Sequence, residues 1–480
     1  MSGYIEGESR EQQTLLPGLL DDYVGEAHLA RVIDRYVECQ DLRGLGFERF
    51  EPAATGRPGY DPRLMLKLYV YGYLNRVRSS RRLEAESQRN VELMWLLGKL
   101  SPDFKSIADF RCDNGPAVRA LCREFSVFCV RQGLMTGDLV AIDGSKFAGV
   151  NHKGRNFNAD KLAKRLKALD DKITAYLQEL DANDAADSSG PPPDRAAVRE
   201  ALRILEARKT QLQGRQQALA ASGERQVSLT DPDTRAMKSG SGGTVVGYNV
   251  QMAVDSAHKL IVNFEVTSDG NDRNQLTAQA IAARDILQVQ TLEVVADAGY
   301  AKGCEYAACE AAGITAYVPE CAGRSNEQQG RFGKQRFDYD AGRDEYRCPA
   351  GATLTYAGTV TRENLPVRRY TTSSCNGCIL RAQCTTAKHS GREIIRAPGA
   401  EAVEAMALRT QANPGKLQRR KEIVEHPFGT IKRTMDQGYF LMRRFPKVTT
   451  EMSLTVLCYN LRRAINILGM EKMMEVLQPV

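Results

Sequence analysis

The chain has 480 residues, 42% of them hydrophobic and 26% charged, with 12 cysteines and a formal charge of +7. That composition is ordinary for folded, soluble protein, and the length admits two to four packed units. No apolar run reaches the roughly 20 residues of a membrane span, and the basic balance favours polyanionic partners without requiring them.

The first stretch, MSGYIEGESREQQTLLPGLLDDY, lacks the basic and apolar segments of a secretory signal. Most cysteines lie in helical patterns such as ALCREFSVFCV, which reads as buried reduced thiols and a cytoplasmic location, with no membrane partner.

Residues 1–135 read as a helical N-terminal domain. Leu64, Leu68 and Tyr71 recur at helical spacing, as do Val118, Leu121, Phe125 and Phe128. Ser106 with Asp109 resembles a capping box, and Asn114-Gly115-Pro116 closes one helix and opens another. Arg76, Arg78, Arg81 and Arg82 surround a short turn with Ser80 as N-cap. This is either a helix-turn-helix DNA reader or a solvated charged turn.

From Gly137 the period becomes that of strands, in DLVAIDGSKF, GYNVQMAVDS, LIVNFEVTSDG, TLEVVADAGY and ITAYVPE, with helices before and after the fourth. This mixed α/β order fits a ribonuclease-H-like (RNase-H-like) sheet, assembled from residues 136–154, 226–320 and 411–480. Residues 155–225 read as a helical-hairpin insertion. Leu162, Leu166, Leu169, Ile173, Tyr176 and Leu180 are answered by Val198, Leu202, Leu205, Leu212 and Leu219 across the break DSSGPPPDR, with Lys209 and Gln216 on the second seam. Residues 321–410 form a polar insertion lobe with Cys348, Cys375, Cys378 and Cys384. One CxxC among four thiolates suits a structural zinc ion or simply reduced cysteines, with His389 a substitute ligand or a surface histidine.

Asp143 lies in the apolar run LVAIDGSKF, and Asp297 ends EVVADAGY. Singly, each aspartate precedes a glycine and makes ordinary turn chemistry. On neighbouring strands, the two carboxylates would converge and favour hard divalent cations, Mg2+ or Mn2+. A third acid would complete a two-metal site. The stretch KEIVEHPFGTIKR offers Glu422 and Glu425, three apart on one helical face, with Pro427 kinking the helix beside them; spacing does not choose between them.

The ordered set IDGSKF, ADAGYAKG and VEHPFGTIKR resembles the three acidic motifs of the DDE transposases of bacterial insertion sequences, in particular the group with a Tyr-Arg-Glu-Lys signature. The resemblance extends to DPDTRAMKSG, to the Cys-Pro and Cys-x-x-Cys lobe, and to FLMRRFPKVTTEMSLTVLCYNLRRAINIL. Counting back from Lys432, it implies Glu425 as the third acid and leaves Glu422 a salt-bridging surface residue. The arginine slot falls on Lys421 and the tyrosine slot on Gln418, both departures from the pattern.

The resemblance further implies two metal ions per site held by Asp143, Asp297 and Glu425. They would serve cleavage at transposon ends and transfer of the freed 3'-hydroxyl into target DNA. Lys146, Arg235, Lys238, Lys421, Lys432, Arg433, Arg443, Arg444 and Lys447 are expected phosphate contacts. The expected partners are double-stranded DNA, both terminal inverted repeats and target, and further copies of the chain as a homodimer or higher on DNA, with nucleoid association. An RNase-H-like nuclease without strand transfer and a domesticated, DNA-binding transposase are the alternatives.

Overall fold

The computed structural model describes residues 19–49, 59–185, 195–239, 242–319, 329–362, 365–387 and 390–477. The start of the chain, the DSSGPPPD break and His389 lie outside the described residues. The N-terminal region is helical: α1 (Leu29–Glu38), α2 (Pro62–Leu74), α3 (Ser80–Ser87), α4 (Val91–Leu96), α5 (Phe104–Asp113) and α6 (Gly115–Arg131). Asp61 caps α2 by accepting the Arg63 N–H at 2.7 Å, directly ahead of Pro62.

Two expected starts move. In α5 the cap is Asp103, which accepts the N–H groups of Lys105 and Ser106, both at 3.0 Å, while Ser106 and Asp109 lie inside the helix. In α3, Ser80 is the first helical residue and Ser79 precedes it in extended conformation. Helix α2 is buried from Met65 to Leu74, and Gly72 allows the chain to fold back. A Cβ there would stand 2.4 Å from the Val77 carbonyl oxygen.

The central sheet contains β1 (Val140–Ala148), β4 (Arg235–Lys238), β5 (Thr244–Asp255), β6 (Ile261–Thr267), β7 (Leu292–Val295) and β8 (Ile314–Tyr317). Between β1 and β4 come β2 (Asn156–Asn158), α7 (Ala159–Ala185), α8 (Arg195–Ser222) and β3 (Gln226–Ser228). The path is β4-β5-β1-β7-β8, with β6 also on β5. Strands β1, β4 and β6 run antiparallel to β5, whereas β1, β7 and β8 are mutually parallel neighbours. Parallel pairing needs crossovers, which α9 (Leu276–Leu287) and α10 (Gly303–Ala311) provide.

Helices α7 and α8 pack on each other, with a small core of Phe157, Leu162, Leu212 and Leu219 of their own. The charge on its seam is matched, because Lys209 pairs with Asp170 at 2.6 Å. After β8 comes a separate antiparallel sheet of β9 (Asp338–Asp340), β10 (Glu345–Arg347), β11 (Thr353–Arg362), β12 (Leu365–Thr371) and β13 (Ile394–Arg396). It closes on Phe337, Tyr346, Leu354, Tyr370 and Ile394.

The chain ends in α11 (Ala400–Ala412), α12 (Pro414–Gly429), α13 (Phe445–Leu468) and α14 (Met470–Val476). Helix α13 is buried along most of its length and packs against α2, α6 and β6. The N-terminal helices therefore share one continuous core with the central sheet.

Candidate active site

Register fixes the first two acids. Val140 pairs with Val294 and Ala141 with Val295 in parallel, so Asp143, inside β1, and Asp297, just past the end of β7, each lie two residues beyond the last parallel pair and come side by side where that pairing stops. Asp143 Oδ1 accepts the Gly144 N–H at 2.8 Å, and its Oδ2 accepts Nη1 of Arg420 at 2.8 Å. Burial pushes the Asp143 carboxyl up to about 6; the neighbouring Asp297 adds to the rise, and the Arg420 guanidinium opposes it. Asp297 Oδ1 accepts the Gly299 N–H at 2.8 Å and so opens the turn Ala298–Tyr300. Turn chemistry holds at Asp297 alone, because Asp143 and Gly144 lie within β1, paired with Met252 and Gln251.

The glutamates separate. Helix α12 packs across β1, β5 and β7 on the side chains of Ile423, Val424, Pro427 and Phe428. Glu422 pairs with Lys259 at 3.0 Å, the surface role expected for it. Glu425 is exposed on the same helix, and it is Arg420 that reaches Asp143. Among the described residues, no group of three or more His, Cys, Asp or Glu side chains stands in a metal-holding arrangement. His426 packs against Tyr459, with Nδ1 2.8 Å from the hydroxyl.

Pro427 lies inside α12, and the helix passes into a π-helical turn at Thr430–Thr434. That turn lays Lys432 on β1. Its Nζ donates to Ser145 Oγ at 2.6 Å and to the Lys146 carbonyl at 2.9 Å, and stands 4.6 Å from the Phe147 ring centre. Burial and the charge of Lys146 bring the Lys432 amine down to about 8, while Asp143 pulls the other way.

A cleft of about 550 Å³ opens beside the acids, with Lys146, Lys238, Arg273 and Lys432 on its walls. Of the other expected phosphate contacts, Arg76, Arg81, Arg82, Lys421, Arg433, Arg443, Arg444 and Lys447 are exposed. Arg235 is folded against Glu224 at 3.2 Å. Arg78 is a correction: it is only 6% exposed and pairs with Glu451, itself 1% exposed, at 3.1 Å. Its guanidinium also donates to the carbonyls of Tyr439 and Asp436, each at 2.9 Å, so it is structural and faces no phosphate. The motif DPDTR has a local task as well, since Asp231 and Asp233 accept the N–H groups of Arg444 and Phe445 where α13 begins.

The sequence reading missed Asp272 and its partners. Asp272 Oδ1 accepts Asn249 Nδ2 at 2.7 Å and Gln251 Nε2 at 2.6 Å, and Lys146 Nζ is 3.5 Å away. Gln251 in turn accepts the Tyr300 hydroxyl, which ties the network to the turn after Asp297. A signal existed: Asn249 and Gln251 alternate within the apolar strand YNVQMAV, and fully buried amides require partners.

In the lobe, Cys348, Cys375, Cys378 and Cys384 line one narrow cavity, and the other three thiols join burial in pushing the Cys384 thiol up. All described cysteines are free thiols. Among the described residues, no helix is long and apolar enough to cross a membrane.

Residues 19–113 match the family described as Transposase domain (DUF772), and residues 347–465 match the family described as Transposase DDE domain. These matches support a DDE transposase. The DDE match takes in the four lobe cysteines, Glu425 and Lys432, and ends within α13; Asp143 and Asp297 lie upstream of it. A cryo-EM structure of a piggyBac transposase synaptic complex with hairpin DNA aligns with 93% of this chain and 76% of its own at 10% identity. The TM-score of that alignment is 0.30. No curated protein sequence matches the chain.

Proposed function

We propose that the chain is a DNA transposase that cuts at transposon ends and joins the freed 3' ends to target DNA, using Mg2+ or Mn2+. The observation that carries this reading is the meeting of Asp143, inside β1, and Asp297, just past the end of the parallel neighbour β7, beside a lysine-lined cleft. The strand order β6-β5-β1-β7-β8, antiparallel then parallel, supports an RNase-H-like core. In that reading the α7–α8 hairpin and the cysteine lobe are insertions, and residues 1–135 supply end recognition. Asp143, Asp297 and Glu425 are the proposed metal ligands for two cations. The first two fit hard cations: both offer only oxygen, and Asp143 is a buried carboxyl raised chiefly by that burial, with Asp297 adding to the rise.

A divalent cation held there would supply Lewis acidity at the scissile phosphate. The chain's own residues do the rest. Lys432, anchored by Ser145, and Lys146 on the neighbouring β1 position place two positive charges where a phosphate enters the cleft. Arg420 pairs with Asp143 Oδ2 at 2.8 Å, so that oxygen would hold a cation only if the guanidinium let it go. Pairing two DNA ends calls for at least two copies of the chain. The four lobe thiols that line one cavity are the proposed ligands of a structural Zn2+.

The test supplies donor DNA carrying the inverted repeats that flank the reading frame, together with a target plasmid. Asp143→Asn and Asp297→Asn should leave end binding intact and remove metal-dependent cleavage. Nicking without joined products would leave a nuclease. Binding that never leads to nicking, equal in Mg2+ and EDTA, would leave a DNA-binding protein.

A further inference from the structure

We infer that Asp272 and Asp297 together form a divalent-cation position over Gly299, separate from the side of Asp143 that Arg420 covers. The inference rests on the proposed transposase reading and adds a ligand to it. Two glycines make the room. A Cβ on Gly299 would stand 2.9 Å from Asp297 Oδ1 and 3.7 Å from Asp272 Oδ2, so both carboxylates border the volume that the missing side chain leaves empty. A Cβ on Gly144 would stand 2.5 Å from Asp272 Oδ1 and 2.3 Å from Gln251 Nε2, which makes glycine necessary for Asp272 to dock.

The hydrogen bonding is asymmetric in a way that suits a ligand. Oδ1 of Asp272 carries the bonds from Asn249 and Gln251, whereas Oδ2 is the oxygen turned toward Gly299 and Asp297. Ligating carboxylates are held in this manner, with one oxygen fixed by neighbours and the other presented.

A second observation concerns the amide that holds Asp272. Oδ1 of Asn249, on a side chain with no exposure, has no hydrogen-bond partner, and it lies 3.0 Å from the Cβ position of Gly144 on the wall of the same cleft. A buried orphan acceptor is costly unless a cation or its water shell answers it. Two carboxylates with open positions also match how Mg2+ is bound, with waters and substrate phosphates filling the remainder. Asp272, Ala298 and Gly299 all face the cleft where a phosphate would arrive.

The experiment titrates Mn2+ into the purified full chain and follows free Mn2+ by electron paramagnetic resonance, with the melting temperature of the metal-free protein as a fold control. Asp272→Asn keeps an acceptor for Asn249 and Gln251 and replaces the presented oxygen with an amide. It should weaken Mn2+ between about ten- and a hundredfold at an unchanged metal-free melting temperature. Gly299→Ala, which fills the volume and alters no hydrogen bond of Asp272, should do the same and stands in if the first variant misfolds. If Asp297→Asn loses Mn2+ while Asp272→Asn and Gly299→Ala bind like wild type, the inference falls and the transposase reading stands. If wild type takes up no Mn2+, both fall.

Discussion

Replacing Arg78 with methionine separates the two roles open to this arginine. The substitution keeps the aliphatic stem and deletes a guanidinium that serves Glu451, two backbone carbonyls and the face of Tyr439, 4.6 Å from the ring centre. Breaking a buried pair from one side typically costs about 3 to 5 kcal/mol. The low end, about 3 kcal/mol, applies because Glu451 keeps the backbone N–H groups of Leu441 and Met442 and the nearby charge of Arg111.

The sign of the pH dependence follows from burial. Burial raises the Glu451 carboxyl above its ordinary value, so its protonated form favours the folded state and its ionised form opposes it as pH rises through the folded-state value. Without Arg78 that rise grows, and the deficit of the variant should be largest near neutrality and shrink as pH falls toward the ordinary glutamate value of about 4.3. Urea unfolding followed through Trp95, the single tryptophan, reads both quantities. A deficit below about 1 kcal/mol, combined with weaker DNA binding and a shallower salt dependence, would refute the structural assignment and restore Arg78 as a phosphate contact.

The exposed neighbours should behave oppositely: Arg81→Ala and Arg82→Ala should change stability by less than about 0.5 kcal/mol while weakening DNA binding in a salt-dependent manner, measured by fluorescence anisotropy. Glu425→Gln should remove cleavage and Glu422→Gln should spare it, because Glu422 serves only a surface pair with Lys259; full activity of Glu425→Gln in a donor-cleavage assay would exclude that residue as a ligand. Metal analysis of the purified chain should find about one zinc per chain, lost in Cys375→Ser with Cys378→Ser; zinc-free protein that folds identically in chelator would return the lobe to reduced thiols. Gly144→Ala should weaken Mn2+ binding because its methyl displaces Asp272 from the cleft wall; unchanged affinity by the same resonance titration would mean that the loop yields at no cost.

The strands were legible because their apolar runs are long and β-branched. LVAIDGSKF and TLEVVADAGY announce strands buried on both sides, and an aspartate there has few uses, so Asp143 and Asp297 stand out as candidates without knowledge of the pairing. Arg78 was not legible. Its sequence neighbours are exposed arginines, and the feature that distinguishes it, a glutamate 373 positions away, is a tertiary fact. Ser106 failed for a related reason: the pattern Ser-x-x-Asp is common, and Asp103 three residues earlier already caps the helix.

Asp272 was hidden by its own surroundings. In SDGNDRN every residue suits a turn, so an acid in that stretch draws no notice, and only the folded sheet brings it under Asn249 and Gln251. The same packing explains why the helix-borne acids were ambiguous. Arg420, Glu422 and Glu425 lie within two turns of one helix, yet one reaches Asp143, one pairs with Lys259 and one faces solvent. What decides among them is how α12 rolls on β1 under Pro427 and the π-helical turn after it, a rotation that brings Lys432 to Ser145. A site whose charges are distributed by that roll has an arginine bound to its buried aspartate and a lysine held close by. A phosphate entering the cleft would therefore meet the lysine first, and Arg420 would have to leave Asp143 Oδ2 before that oxygen could hold a divalent ion.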